Sequence, residues 1–173
     1  RFLAYHDPLT RLANRVQFYE KLEEAVAEAK ADGGTFAVLL IDLDGFKEVN
    51  DRIGHHAGDG VLTAVAAAIR EAVGTRGLAA RLGGDEFVAL LKDRPDADEL
   101  QRMREQIRDG LASRIPAATA EECRVDISIG VAFYPEDGED GEALVRAADA
   151  SMYGEKRRGR RVRWNEAETE GGL

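Results

Sequence analysis

Cysteine is almost absent from this 173-residue chain: Cys123 is the only one. A lone thiol cannot close an internal disulfide, so a reducing, cytoplasmic setting is expected. Long apolar runs are missing too. None reaches the ~18 residues that a membrane-spanning helix needs, and no signal peptide is visible. An excess of positive charge is also lacking. There are 24 Lys plus Arg against 33 Asp plus Glu, a formal net charge of −9. Broad electrostatic capture of DNA or RNA needs a basic surface, so a nucleic-acid binder of the usual kind is excluded. The same balance is poor for an anionic membrane surface. A small nucleotide stays open as a ligand, because a few local cations and a metal can hold one.

What is present suits one domain, since single domains run to roughly 100–200 residues. A chain of this size buries about 70% of its unfolded surface, and 44% of the residues are hydrophobic. The chain opens on Arg1-Phe2-Leu3-Ala4-Tyr5 rather than Met. Residues 1–5 read as the end of an upstream linker helix, cut from a longer protein. Residues 166–173 read as a disordered tail.

Apolar periodicity predicts a helix over Arg15–Ala31, stopped by Asp32-Gly33-Gly34. Phe36–Ile41 is six apolar residues in a row, the pattern of a buried strand. Helical pieces follow at Phe46–Ile53 and Asp59–Val73. Leu78–Leu82 and Glu86–Leu91 read as strands joined by a tight hairpin at Gly83-Gly84-Asp85, where glycine supplies positive φ angles. A helix is predicted over Ala97–Ser113, a strand over Arg124–Phe133, a helix over Gly141–Arg157 and a short strand over Arg161–Trp164. The core order is β-α-β-β-α-β. That predicts an α+β, ferredoxin-like or palm-type fold, an antiparallel sheet flanked by helices. An extra helix precedes the core, and a helix and strand follow it.

Asp42 and Asp44 stand where the apolar strand is predicted to end, and Asp85 and Glu86 stand on the hairpin tip. In this topology the first strand pairs between other core strands, so its end lies beside that tip. Carboxylates gathered there repel one another unless a cation sits between them. Oxygen-only ligands suit Mg²⁺, commonly shared with substrate phosphates. Gly83 and Gly84, lacking Cβ atoms, let a bulky ligand approach the backbone. At Gly45 and Phe46 the chain turns from strand into helix, where free N–H groups can hold phosphate oxygens.

These residues carry a resemblance. Arg81-Leu82-Gly83-Gly84-Asp85-Glu86-Phe87 contains the signature of the GGDEF family, the diguanylate cyclases. His6-Asp7-Pro8-Leu9-Thr10 with Leu12-Ala13-Asn14-Arg15 resembles the family's DPLTGLxNR segment, with Arg11 where glycine is usual. Asp42 to Asp51 resembles its DxDxFKxxND stretch, and Gly54 to Asp59 its GHxxGD. Ala148 to Tyr153, then Lys156 and Arg160, resembles the closing ADxAxYxAKxxGRN, with Arg161 in place of the usual Asn. The motifs run in family order over nearly the whole chain.

The resemblance implies condensation of two GTP into cyclic di-GMP and two pyrophosphates, across a homodimer of domains. It implies Asp42, Asp85 and the Leu43 carbonyl as ligands of two Mg²⁺ or Mn²⁺ ions per half-site. Glu86 is either a further ligand or an aid to activating the 3′-OH. Asn50 and Asp59 match guanine-binding positions, with His55 in the same pocket segment. A carboxylate that only accepts hydrogen bonds suits the paired donors of guanine and rejects adenine. Without the resemblance, Asp59 reads as a helix cap, a role it could combine with guanine binding. Lys47, Lys156 and Arg160 match cations that hold the triphosphate. Gly74 and Gly77 replace the Arg and Asp of the family's inhibitory RxxD motif, so no product inhibition is expected there. No covalent nucleophile is required, which leaves Cys123 structural. The alternatives are a silent GGDEF domain that binds GTP or a partner protein, and a relaxed cyclase that also takes ATP. An upstream sensor or dimerisation domain is implied as well.

Overall fold

The computed structural model describes residues 2–152. Lys156, Arg160, Arg161, the strand predicted over Arg161–Trp164, the end of the last helix and the tail lie outside the described residues.

A short helix α1 (Phe2–Tyr5) precedes α2 (Arg15–Asp32). Asn14 starts α2 by accepting the Gln17 N–H at 3.0 Å, and its amide also donates to the Ala4 carbonyl at 2.9 Å. Gly33 ends it in the left-handed region, φ 73°. Strand β1 (Phe36–Asp44) leads through α3 (Phe46–Arg52) and α4 (His55–Val73) to β2 (Gly77–Gly83) and β3 (Glu86–Leu91). Helices α5 (Ala97–Arg114) and α6 (Ala117–Glu122) then lead to β4 (Asp126–Tyr134). A last helix, α7, covers residues 141–152 of the described chain.

The sheet order is β2-β3-β1-β4, and every pair is antiparallel. This is the ferredoxin-like arrangement. The period of two along β1 explains its unbroken apolar run. Ala37, Leu39, Ile41 and Leu43 face one core with α4 and α5 residues such as Val65, Ile69, Ile107 and Leu111. Phe36, Val38 and Leu40 face another core with Phe18, Leu22 and Val26 of α2 and Leu144 and Ala148 of α7. Burying each large aliphatic or aromatic side chain this way contributes about 1.5–3 kcal/mol. Among the described residues, no helix is long and apolar enough to cross a membrane.

Three boundaries differ from expectation by two residues or more, and one helix was not expected. Strand β1 does not stop at Ile41 but runs on to Asp44, because the backbone ladder holds it on both sides. Helix α4 starts at His55, not Asp59: Gly54, at φ 118°, takes the cap, and the Gly58 N–H bonds the Gly54 carbonyl at 3.1 Å. Asp59 therefore lies inside the helix and is not its cap. Strand β4 begins two residues later than expected. Helix α6 has no apolar stripe to announce it; only Thr119 is buried.

Candidate active site

The site forms at one end of the sheet. In the β1–β3 register Asp42 stands opposite Glu86, and in the β1–β4 register opposite Ser128. Side-chain alternation puts Asp42, Asp44 and Glu86 on the sheet face covered by α2 and α7. Ser128 donates its hydroxyl to Asp44 Oδ2 at 2.7 Å. Leu43 donates its N–H to the Asp85 carbonyl at 3.3 Å, tying the strand end to the hairpin tip. Gly83 and Gly84 take φ angles of 147° and 50°, with open space where a Cβ would stand. The hairpin is therefore a turn that L side chains would strain, and its backbone is open to a ligand.

Glu86 reports the electrostatics. Its carboxyl is pushed above the usual 4.5, first by lost hydration and then by the charges of Asp42, Asp85 and Asp149, with Arg15 opposing. The residue is exposed overall; the loss of water is local, on the side facing its neighbours. Like charges thus converge from β1, the hairpin and α7. Among the described residues, no group of three or more His, Cys, Asp or Glu is arranged as a ready metal cage. The donor set nevertheless fits Mg²⁺ or Mn²⁺: hard oxygens, with a repulsion that a divalent cation relieves.

Beside the carboxylates, Gly45 turns the chain into α3 at φ 85°, and a Cβ there would meet the Arg124 carbonyl at 2.3 Å. No other residue fits that turn without displacing backbone. It delivers half-buried Phe46 and exposed Lys47 into the first turn of α3. Asn50 lies at the other end of α3. A Cβ on Gly58 would stand 1.9 Å from Asn50 Oδ1, so the Asn50 amide rests on Gly58. Asp59 follows Gly58 in α4, and His55 opens the same helix; both Asp59 and His55 are exposed. Asp42, Leu43, Asp85 and Glu86 are thus brought together; Asn50 meets Gly58 where α3 and α4 join, and His55 and Asp59 lie one turn apart on α4.

Motif spacing alone misses a latch behind the hairpin. Asp7 Oδ2 accepts the Thr10 N–H and hydroxyl, each at 2.8 Å. Arg81 donates to both Asp7 oxygens at 3.2 Å, and to the Gly84 carbonyl through Nε at 3.1 Å and Nη2 at 2.9 Å. Burial pulls the Asp7 carboxyl upward, but the bonds from Thr10 and Arg81 and the Arg81 charge outweigh it, so it sits below the usual 3.8. The only clue in the sequence is Asp7 three residues before Thr10, a spacing suited to a local turn. Arg15 and Asp149, which also act on Glu86, have no sequence clue beyond their place in the motifs.

Comparison with known proteins follows the same lines. Residues 4–162 match the family described as diguanylate cyclase, GGDEF domain. The chain is 45% identical over 161 residues to the bifunctional diguanylate cyclase/cyclic di-GMP phosphodiesterase MucR of Pseudomonas aeruginosa, covering 91% of this chain and 23% of that protein. The GGDEF domain of TpbB from P. aeruginosa superposes with a TM-score of 0.78 at 40% identity, covering 88% of this chain and 89% of that one. The GGDEF domain of DgcB from Caulobacter crescentus, solved with c-di-GMP, also gives 0.78, at 36% identity, covering 90% of this chain and 89% of that one. The chain spans only about a fifth to a third of the length of the curated relatives it matches, 23% of MucR and 36% of TpbB.

Proposed function

The chain belongs to the GGDEF family of diguanylate cyclase domains, and from that premise we propose that it condenses two GTP into cyclic di-GMP and two pyrophosphates. The observation that carries this reading is the pairing of Asp42 with Glu86 beneath an open glycine turn. The turn leaves room for a triphosphate, and the converging carboxylates supply the charge to hold its metal ions. Asp42, Asp85, Glu86 and the Leu43 carbonyl would hold Mg²⁺ or Mn²⁺. When bound, such ions offset the negative charge of the phosphates and of the attacking oxygen.

The chain's own residues position the reactants. Asn50 and Asp59 accept and donate along the guanine edge, with His55 beside them. An ionised Asp59 accepts from guanine N1–H and the 2-amino group, and adenine would leave it unpaired. Lys47, with Lys156 and Arg160, meets the triphosphate charge. The 3′-oxygen of each GTP forms a bond to the α-phosphorus of the other. The bond from that phosphorus to the β-phosphate bridging oxygen breaks, pyrophosphate leaves, and the 3′-hydroxyl proton departs, with Glu86 placed to assist. Catalysis of this kind rests on positioning and charge stabilisation. One domain holds one GTP, so the partner is a second copy.

Product inhibition through an RxxD pair is not expected. Gly74 adopts φ 52°, and a Cβ on Gly77 would meet the Leu90 carbonyl at 1.8 Å. Restoring the motif residues would therefore require the backbone to move. Incubation with GTP and Mg²⁺ should yield cyclic di-GMP, and Asp85→Ala should abolish it. Product formation by that variant would remove the metal assignment; no product from the wild-type dimer would remove the proposal.

A further inference from the structure

We propose that Gly130 of β4 is a positioning residue for GTP: its missing side chain lets α7 lie directly on the sheet and fixes that helix beside the carboxylate rim. The inference rests on the cyclase reading above and names a residue that acts on the site from outside it. The contact is backbone on backbone. A Cβ on Gly130 would stand 1.9 Å from the Ala148 carbonyl oxygen, 2.7 Å from the Met152 nitrogen and 2.8 Å from the Met152 Cβ. Ala148 and Met152 are one turn of α7 apart, and both are buried, as is Leu144 a turn earlier. A glycine inside a strand weakens it and marks a place where another backbone comes close. Neither a carbonyl oxygen nor a helical nitrogen can swing aside as the tip of a side chain can. Ordinary contact begins at 3.4 Å, so alanine at this position would push the turn outward by roughly 1.5 Å.

A second tie lies at the next residue. Among the described residues β4 is an edge strand, and its Val131 N–H donates to Ser151 Oγ at 3.3 Å. A backbone donor of the edge is thereby satisfied from α7. The place of these ties on the strand gives them their meaning. Gly130 pairs with Leu40 of β1 and shares its sheet face with Ser128, two residues back. Ser128 pairs with Asp42 and donates to Asp44. At ~3.3 Å per residue the seat of α7 is about 7 Å from the acidic end of the sheet. Asp149 directly follows Ala148 and is among the charges that raise the Glu86 carboxyl, so this turn of the helix reaches the site. Lys156 and Arg160, proposed above to meet the triphosphate, follow Met152 by four and eight residues in the sequence. The seat of Met152 therefore sets where that stretch of chain begins. A displacement of about 1 Å far from the chemistry can cost on the order of a hundredfold in rate.

The test compares three variants by their KM for GTP with Mg²⁺, and by their Kd for the α,β-methylene analogue of GTP, which cannot release pyrophosphate. Gly130→Ala should raise both constants about tenfold. Ser151→Ala removes the Val131 bond without adding bulk and should raise both about threefold. Ile107→Val thins the core on the opposite face of the sheet. It should lower the unfolding midpoint and leave KM and Kd at their wild-type values. A role of Gly130 in folding alone would reduce the amount of active protein without moving either constant. Wild-type KM and Kd in Gly130→Ala, or equal increases in Ile107→Val, would overturn the inference. Where Gly130→Ala does not fold, Ser151→Ala decides, and wild-type constants in that variant overturn it as well. A wild-type chain that binds the analogue but makes no cyclic di-GMP removes the cyclase reading alone, because the comparison of Kd values still stands. A wild-type chain that does not bind it removes both.

Discussion

Two carboxylates are shifted in opposite directions, and each makes stability depend on pH in its own way. Asp7 sits below its usual 3.8, held there by Thr10 and Arg81. Its stabilisation is present above the unfolded pKa and is lost as pH falls through the folded one. Glu86 sits above its usual 4.5. Its contribution is complete below the unfolded pKa and is lost as pH rises through the folded value, so ionised Glu86 is a liability near neutrality. Thermal unfolding of two isosteric variants without divalent metal should separate them. Asp7→Asn is expected to unfold earlier than wild type at pH 7, with the gap closing in acid. Glu86→Gln should unfold later at pH 7, and its advantage should vanish below about pH 4. If Glu86→Gln were no more stable at pH 7, the converging negative charge around Glu86 would be misjudged. The sequence shows the four acids Asp42, Asp44, Asp85 and Glu86 as two clusters. It does not show that Asp44 turns to Ser128 while Asp42 faces Glu86, because register decides that. Nor does it show the role of Arg81, whose partners stand 74 residues earlier and three residues later.

At the scale of elements, α3 and α4 form a clamp whose closeness depends on one missing methyl. The Asn50 amide lies on Gly58, and Gly58 is buried inside α4. Alanine at that position would gain up to ~1 kcal/mol of helix propensity over glycine, but its Cβ would occupy the place of Asn50 Oδ1. The clash falls on the far end of a side chain, so the helix should survive and the amide should move. Gly58→Ala is therefore expected to leave the unfolding midpoint within a few degrees of wild type. It should raise the KM for GTP about tenfold, the loss of roughly one well-placed hydrogen bond. Steady-state kinetics beside thermal unfolding checks this, and an unchanged KM would separate Asn50 from guanine. A similar economy operates at Gly45, where both the φ of 85° and the Arg124 carbonyl exclude a side chain. The strand-helix-hairpin order was legible because apolar periodicity and glycine punctuation are local signals. The early start of α4 was not, since Gly54-His55-His56-Ala57-Gly58 reads as loop until Gly54 is seen taking the cap. Helix α6 stayed hidden for the opposite reason: it packs too little to need a pattern.

At the scale of the molecule, the sheet buries both faces, α4 and α5 covering one and α2 and α7 the other. The Asp42 end of β1 and the hairpin tip share one rim. A single rim presents one set of Asp42, Asp85 and Glu86. In the proposed reaction each GTP is both nucleophile and electrophile, so two rims must face each other with both nucleotides bound. The encounter brings together two bodies that each carry a net charge of −9, and their repulsion opposes it until salt screens it over a Debye length of about 8 Å at physiological ionic strength. At saturating GTP and Mg²⁺, the rate per domain should consequently rise with protein concentration while the chain is mostly monomeric. It should level off once sedimentation shows dimer. Raising ionic strength from very low to physiological values should move that rise to lower protein concentration. A rate per domain that stays constant while the protein sediments as a monomer would mean that one rim suffices, and the paired-domain mechanism would have to be abandoned.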